Sequence, residues 1–187
     1  MAACAIALMA VSLTGALAQE ENPWADATLA QLLPPNPGAK LCYARSYDAA
    51  HLKQHPKQTV TNVTFMMRVV GYDRGGGYVT RNPDHIGYQF AMAVKRRIGK
   101  PLRAAGDCSG GTGVQCVVDC DGGGLKVEKL AAGGDLLLRL LERGIRMHGD
   151  CDGAGVMVGA KTDDKTFQVG KAPAQVCAAL EQQELGQ

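Results

Sequence analysis

The residue pattern with the clearest chemical content is a repeated acidic turn. Asp119-Cys120-Asp121-Gly122-Gly123-Gly124-Leu125-Lys126-Val127 recurs as Asp150-Cys151-Asp152-Gly153-Ala154-Gly155-Val156-Met157-Val158, with a fainter echo at Asp107-Cys108-Ser109-Gly110-Gly111. Closely spaced carboxylates are ligands for a hard cation, and Asp at positions 1 and 3 with Gly at 6 is how a calcium loop begins. Asp119, Asp121, Asp150 and Asp152 are therefore the candidate metal ligands, for calcium. The far ends of the loops do not match, since the twelfth positions are Leu130 and Lys161 and neither supplies a bidentate carboxylate. Asp and Gly are also what tight strand connections require, and turn chemistry alone accounts for both motifs. No cofactor other than such an ion is expected.

The remaining reactive side chains form no convincing set. His51 and His55 stand four apart and would share a face if Tyr47 to Gln58 were helical, as two metal ligands do. No third ligand lies near in sequence and Pro56 ends the helix, so a solvated surface role is expected. Ala49-Ala50-His51 resembles the segment around the catalytic histidine of chymotrypsin-like serine proteases, and Gly106-Asp107-Cys108-Ser109-Gly110-Gly111 resembles their nucleophile loop. That pattern is broken by Cys108 immediately before Ser109, and the chain is too short for two barrels, so no residue is assigned a catalytic role and no enzyme is expected. Lipocalin-like barrels carry an early Gly-x-Trp, whereas the one tryptophan here, Trp24, follows Pro23.

The elements that would position these residues are mostly strands. The chain has 24 glycines, all but Gly15 and Gly38 from Gly71 onward, and they separate runs rich in Val, Leu, Ile and Tyr. Thr59 to Val70 is strand-like from its β-branched residues, and Tyr88, Phe90, Met92 and Val94 alternate with Gln89, Ala91, Ala93 and Lys95. Val114 to Asp121, Leu125 to Leu130, Gly155 to Ala160 and Thr166 to Val169 are further strands. Residues 135 to 148 have high helix propensity at Leu136 to Arg143, yet their flanking glycines and the alternation Ile145, Arg146, Met147, His148 favour strand. The inward set then changes parity from Leu136, Leu138 and Leu140 to Ile145 and Met147, with Gly144 as a bulge or a turn. One bulged strand leaves an even number of strands between the two Asp-Cys-Asp turns, and puts them at one end of the sheet. A hairpin at Gly144 would separate them. The expectation is a mainly β fold: a small antiparallel barrel or sandwich of about eight strands, closed by a short C-terminal helix from Pro173 and stapled by disulfides.

Organisation along the chain follows from composition. Residues 1–18 are uncharged and apolar, end in Ala16-Leu17-Ala18 and precede Gln19-Glu20-Glu21, the pattern of a secretory signal peptide, although no Lys or Arg opens it. Residues 19–40 are a polar, proline-containing leader with a turn of helix at Ala27 to Leu33, and 41–187 form a single β-rich domain. Cleavage after Ala18 removes Cys4 and leaves six cysteines, an even number suited to a secreted or periplasmic protein. Of the fifteen connectivities that six cysteines allow, the preferred one is Cys42 with Cys177, Cys108 with Cys116, and Cys120 with Cys151. With 20 Lys and Arg against 18 Asp and Glu, the charge gives no electrostatic footprint for nucleic acid or an acidic membrane surface. The one basic cluster, Lys95-Arg96-Arg97 with Lys100 and Arg103, is expected to be the solvated end of a strand. The functional expectation is an exported, non-enzymatic binding or inhibitor-like module for a small apolar ligand or a protein, without nucleic acid and without a stable membrane anchor after cleavage. The alternative is a calcium-responsive or structural extracytoplasmic protein that uses the Asp-Cys-Asp-Gly turns.

Overall fold

The computed structural model describes residues 26–131, 133–148 and 155–186. Its longest strand, β2 (Val60–Tyr72), shows why the chain folds as it does. Val63, Phe65, Met67 and Val69 are buried on one face with the period of two that a pleated strand imposes. Around it, β1 (Lys40–Ser46), β4 (His85–Arg96), β5 (Leu102–Ser109), β6 (Val114–Val117), β7 (Gly123–Lys129), β8 (Leu136–Met147) and β10 (Thr166–Lys171) pair antiparallel in chain order. The ring closes because β1 pairs with β10 on one side, Tyr43 against Lys171, and with β2 on the other, Tyr43 against Phe65. The fold is thus a closed eight-stranded antiparallel barrel with two outer strands, β3 (Tyr78–Val79) and β9 (Val156–Val158). Closure leaves the ring itself without an edge strand.

Strand β8 runs unbroken through Gly144 and changes parity as expected: Leu136 and Leu138, then Ile145 and Met147, are fully buried. The register against β7 jumps from Leu125 opposite Leu140 to Gly123 opposite Ile145, so the surplus residues of β8 form the bulge. Gly144 has φ +80°, and a Cβ there would lie 2.1 Å from the Val158 carbonyl oxygen. Beyond the bulge β9 takes over from β10 as the neighbour of β8. Two expectations shift. Val118 to Asp121 is a turn rather than the end of β6, because Asp119 accepts from Gly122 N–H and both Cys120 (φ 57°) and Asp121 (φ 58°) adopt the left-handed conformation of a type I′ connection. β3 and β5 are strands where the sequence pattern predicts none.

The barrel interior is filled by its own side chains. Phe65, Phe90, Phe167, Met67, Met92 and Leu125 are all fully buried, with the Phe65 and Phe90 rings 6.3 Å apart. Eight strands enclose a space just wide enough for such a filling. One end is capped by α1 (Ala27–Leu32), whose Leu29 joins the core together with Leu33, while Tyr88 Oη donates to the Leu33 carbonyl. The proline-containing segment is therefore packed against the barrel from Asp26 onward. α2 (Ala49–Gln54) lies at the opposite end, N-capped by Asp48.

Outside the barrel, α3 (Ala174–Glu184) sits on a second apolar cluster of Met66, Ala91, Cys177, Leu180 and Leu185. Ala91, Ala93 and Ala105 give the helix room to approach the strands. Disulfides join Cys42 to Cys177 and Cys108 to Cys116, as expected from the sequence. Cys120 is disulfide-bonded as well, and Cys151, its expected partner, lies outside the described residues. Among the described residues no helix is long and apolar enough to cross a membrane.

Candidate functional site

The expected metal ligands divide. Asp119 and Asp121 lie exposed in the β6–β7 turn, and the neighbouring cation, Arg146, donates from Nη1 to the Cys120 carbonyl (3.3 Å) and from its backbone N–H to the Gly122 carbonyl (2.7 Å). Asp150 and Asp152 lie outside the described residues. Among the described residues no group of three or more His, Cys, Asp or Glu side chains forms a metal cluster. Asp107, one strand away on β5, has its carboxyl held above the usual range, first by partial desolvation and then by the charge of Asp119. His51 and His55 stack on each other, with ring centroids 4.4 Å apart, rather than joining a group of three or more potential ligands among the described residues. His51 also stacks on Tyr47, and His51 Nε2 meets Gln58 Oε1 at 3.0 Å. Ser109 ends β5 beside the α1 cap, at the other end of the barrel from His51 on α2, so the two protease-like segments are not brought together.

The most organised part of the described surface is instead the end of the barrel that carries α2. The β4–β5 connection, 97–101, is fixed there from two sides. Arg97 turns toward α2 and donates to the carbonyls of Gln58 (2.8 Å), Leu52 (2.6 Å) and His55 (3.2 Å), which ties the connection to that helix. His148, at the end of β8, meets the Pro101 carbonyl with Nε2 (2.8 Å), and its backbone N–H donates to the Arg103 carbonyl. Held between them, Ile98 projects with 86% of its surface exposed, the most of any large apolar side chain described. Arg96, Lys100, Arg103 and His148 surround an open depression beside it, and Lys53 and Lys57 lie exposed on and just after α2. Gly99, φ +97°, makes the turn, and the Arg96 guanidinium folds over it.

The carboxylates at this end differ: Asp119 and Asp121 lie exposed in the β6–β7 turn and Asp163 in the loop after β9, whereas three others are engaged or buried. Asp48 caps α2 at His51 N–H, and Glu184 pairs with Arg103 (2.7 Å). Asp164 is buried, accepting from Thr59 N–H, Thr59 Oγ1 and Val60 N–H. The basic cluster is the solvated end of a strand, as expected, with Lys95 and Arg96 closing β4; the connection that follows is braced and carries one exposed apolar side chain at its tip.

A second polar arrangement on the outer wall is structural. Arg68 donates to Gln89 Oε1 and to the Leu185 carbonyl, which secures the end of α3. Burial and the adjacent Tyr78 push the Tyr72 hydroxyl up to about 12, so it is neutral at any ordinary pH. Comparison with family models, with curated proteins and with solved structures returns no match.

Proposed function

We propose that this chain is an exported, non-enzymatic binding module that meets an anionic partner with the basic face around Ile98. One observation carries the reading: a rigid connection, held by Arg97 on one side and His148 on the other, presents an exposed apolar side chain among cations. The filled interior, with Phe65, Phe90 and Phe167 at its centre, turns the choice away from a small apolar ligand held inside the barrel and toward the outer surface. Export is supported by the uncharged apolar segment 1–18 and by disulfides, which persist in oxidising compartments.

The test is retention of the oxidised protein on a sulfated polymer matrix at about physiological ionic strength, where the screening length is about 8 Å. Wild type is expected to be retained and Arg96→Gln/Lys100→Gln to elute early. Equal early elution of both proteins counts against the reading.

A second reading, a calcium-responsive protein, is supported by β8 being one strand, since two strands then separate the Asp-Cys-Asp-Gly turns in sequence. Calorimetric titration with calcium tests it. A binding heat that disappears in the Asn variant of Asp119, Asp121, Asp150 and Asp152 supports the ion, and absence of heat in wild type removes it.

A further inference from the structure

We propose that the partner of the basic face is an anionic lipid bilayer, entered by Ile98 at headgroup depth while Arg96 and Lys100 engage lipid phosphates. This rests on the surface-binding reading above and names its partner. A lone protruding isoleucine gains from few kinds of partner. A soluble polyanion has no apolar medium to offer Ile98 and would reward the cations alone. A protein partner buries a central apolar anchor within a patch of packed neighbours. Around Ile98 the exposed neighbours are instead Arg97, Gly99, Lys100 and Pro101. A bilayer supplies both parts: hydrocarbon close beneath the surface for a single side chain, and phosphates at the depth where Arg and Lys side chains reach outward along their own apolar stems.

The bracing by Arg97 and His148 matters here because a tip already fixed in shape loses little conformational freedom on docking. Lys53 and Lys57 on the α2 side widen the positive face beyond the tip itself. Of the carboxylates at this end, Glu184 pairs with Arg103, Asp48 accepts at the α2 cap and Asp164 is buried; the exposed ones, Asp119, Asp121 and Asp163, belong to the β6–β7 turn and the loop after β9, not to the β4–β5 connection that carries Ile98 and Lys100. One apolar side chain and a few cations give a reversible attachment, not an anchor.

The experiment is co-sedimentation of the protein, exported and oxidised in a bacterial host, with vesicles of phosphatidylcholine alone or with added phosphatidylglycerol. Binding is expected only where phosphatidylglycerol is present, and should fall steeply with added salt. Ile98→Ser, at a largely solvated position, leaves the fold intact and should weaken partitioning about tenfold. Each cation removed by Arg96→Gln or Lys100→Gln should weaken it about fivefold. In a Trp24→Phe background, Ile98→Trp should shift its emission to the blue on anionic vesicles and not on phosphatidylcholine. Retention on the sulfated matrix without binding to anionic vesicles overturns the lipid assignment and leaves the surface-binding reading standing. Equal binding of wild type and Ile98→Ser to vesicles also overturns it, because the apolar tip then contributes nothing. Failure on matrix and vesicles alike removes both.

Discussion

Cys42 on β1 is bonded to Cys177 on α3 across 135 residues, with the two Cα atoms 5.9 Å apart. The bond joins the strand that closes the barrel to the helix that covers its outer wall. Cys108 and Cys116, by contrast, lie directly opposite each other on β5 and β6 and enclose a separation of only 8 residues. If a cross-link stabilises by restricting the unfolded chain, the two should differ. The chain-entropy relation gives about 5 kcal/mol for the long loop and about 2.5 kcal/mol for the short one. Paired serine variants, unfolded in denaturant under oxidising conditions, should show that order. A larger loss from the Cys108 and Cys116 pair would mean that native packing, not loop length, sets the contribution.

Asp164 holds the loop after β9 against the start of β2 by accepting from Thr59 N–H and Oγ1 and from Val60 N–H, with the side chain 1% exposed. Asp164→Ala leaves two backbone donors buried without an acceptor, and the expected loss is about 2–4 kcal/mol. Asp164→Asn keeps one carbonyl oxygen and should recover part of it. Unfolding midpoints of the two variants check the order, and an alanine variant as stable as wild type would show that water replaces the carboxylate.

Much of this architecture is legible in the chain, and the exceptions have physical causes. Strand β8 is readable because a bulge leaves a mark in sequence: Leu136 and Leu138 face inward, then Ile145 and Met147 do, with a glycine between. The cysteine pairs are readable because Cys108 and Cys116 flank a glycine-rich hairpin and Cys42 and Cys177 lie near opposite ends of the domain. Strand β5 escapes notice because Ala104, Ala105 and Gly106 have weak strand propensity. Gly106 is nonetheless required, since a Cβ there would lie 2.0 Å from the Val117 carbonyl oxygen. The place of α1 in the core is hidden by the prolines on either side of it, Pro23, Pro34, Pro35 and Pro37, although Leu29 and Leu33 carry the four-residue spacing of one helical face.

The site divides in the same way. Asp119 and Asp121 are visible as turn residues because the left-handed conformation leaves a signature in Asp and Gly. Asp164 has no such signature, since its partners are more than a hundred residues distant in sequence. The basic face is visible as Lys95-Arg96-Arg97 but not as a face. Which cation is tied to backbone carbonyls, as Arg97 is, depends on where α2 ends. A balance of 20 against 18 charges averages over that geometry.

Gly144, like Gly123, should be among the least replaceable glycines of the barrel wall. Its φ of +80° disfavours any side chain, and a Cβ would meet the backbone oxygen of Val158, which cannot rotate away. Gly144→Ala is expected to cost about 2–4 kcal/mol, combining left-handed strain with displacement of β9. Gly76, also at positive φ (+82°) but with open space around it, provides the control. Its alanine variant should lose only the conformational part, about 1 kcal/mol. Equal losses at both positions would argue that contact with Val158 is not what constrains the bulge.

The pair Asp107 and Asp119 gives stability a pH dependence opposite to that of a salt-bridged carboxylate. Partial desolvation and the charge of Asp119 raise the folded-state affinity of Asp107 for a proton. Between its unfolded and folded titrations the native protein therefore binds more protons than the unfolded chain. Stability should fall as pH rises through the interval just above the ordinary carboxylate range. Asp107 reaches solvent, so the effect is small. Asp107→Asn should raise the melting temperature slightly at neutral pH and lose that advantage below the ordinary carboxylate range, where Asp107 is protonated in both states. Asp119→Asn should reproduce part of the gain without touching Asp107. Melting curves of the three proteins from acid to neutral pH check this, and an advantage of Asp107→Asn that does not vary with pH would mean that the charge at this position is not its source.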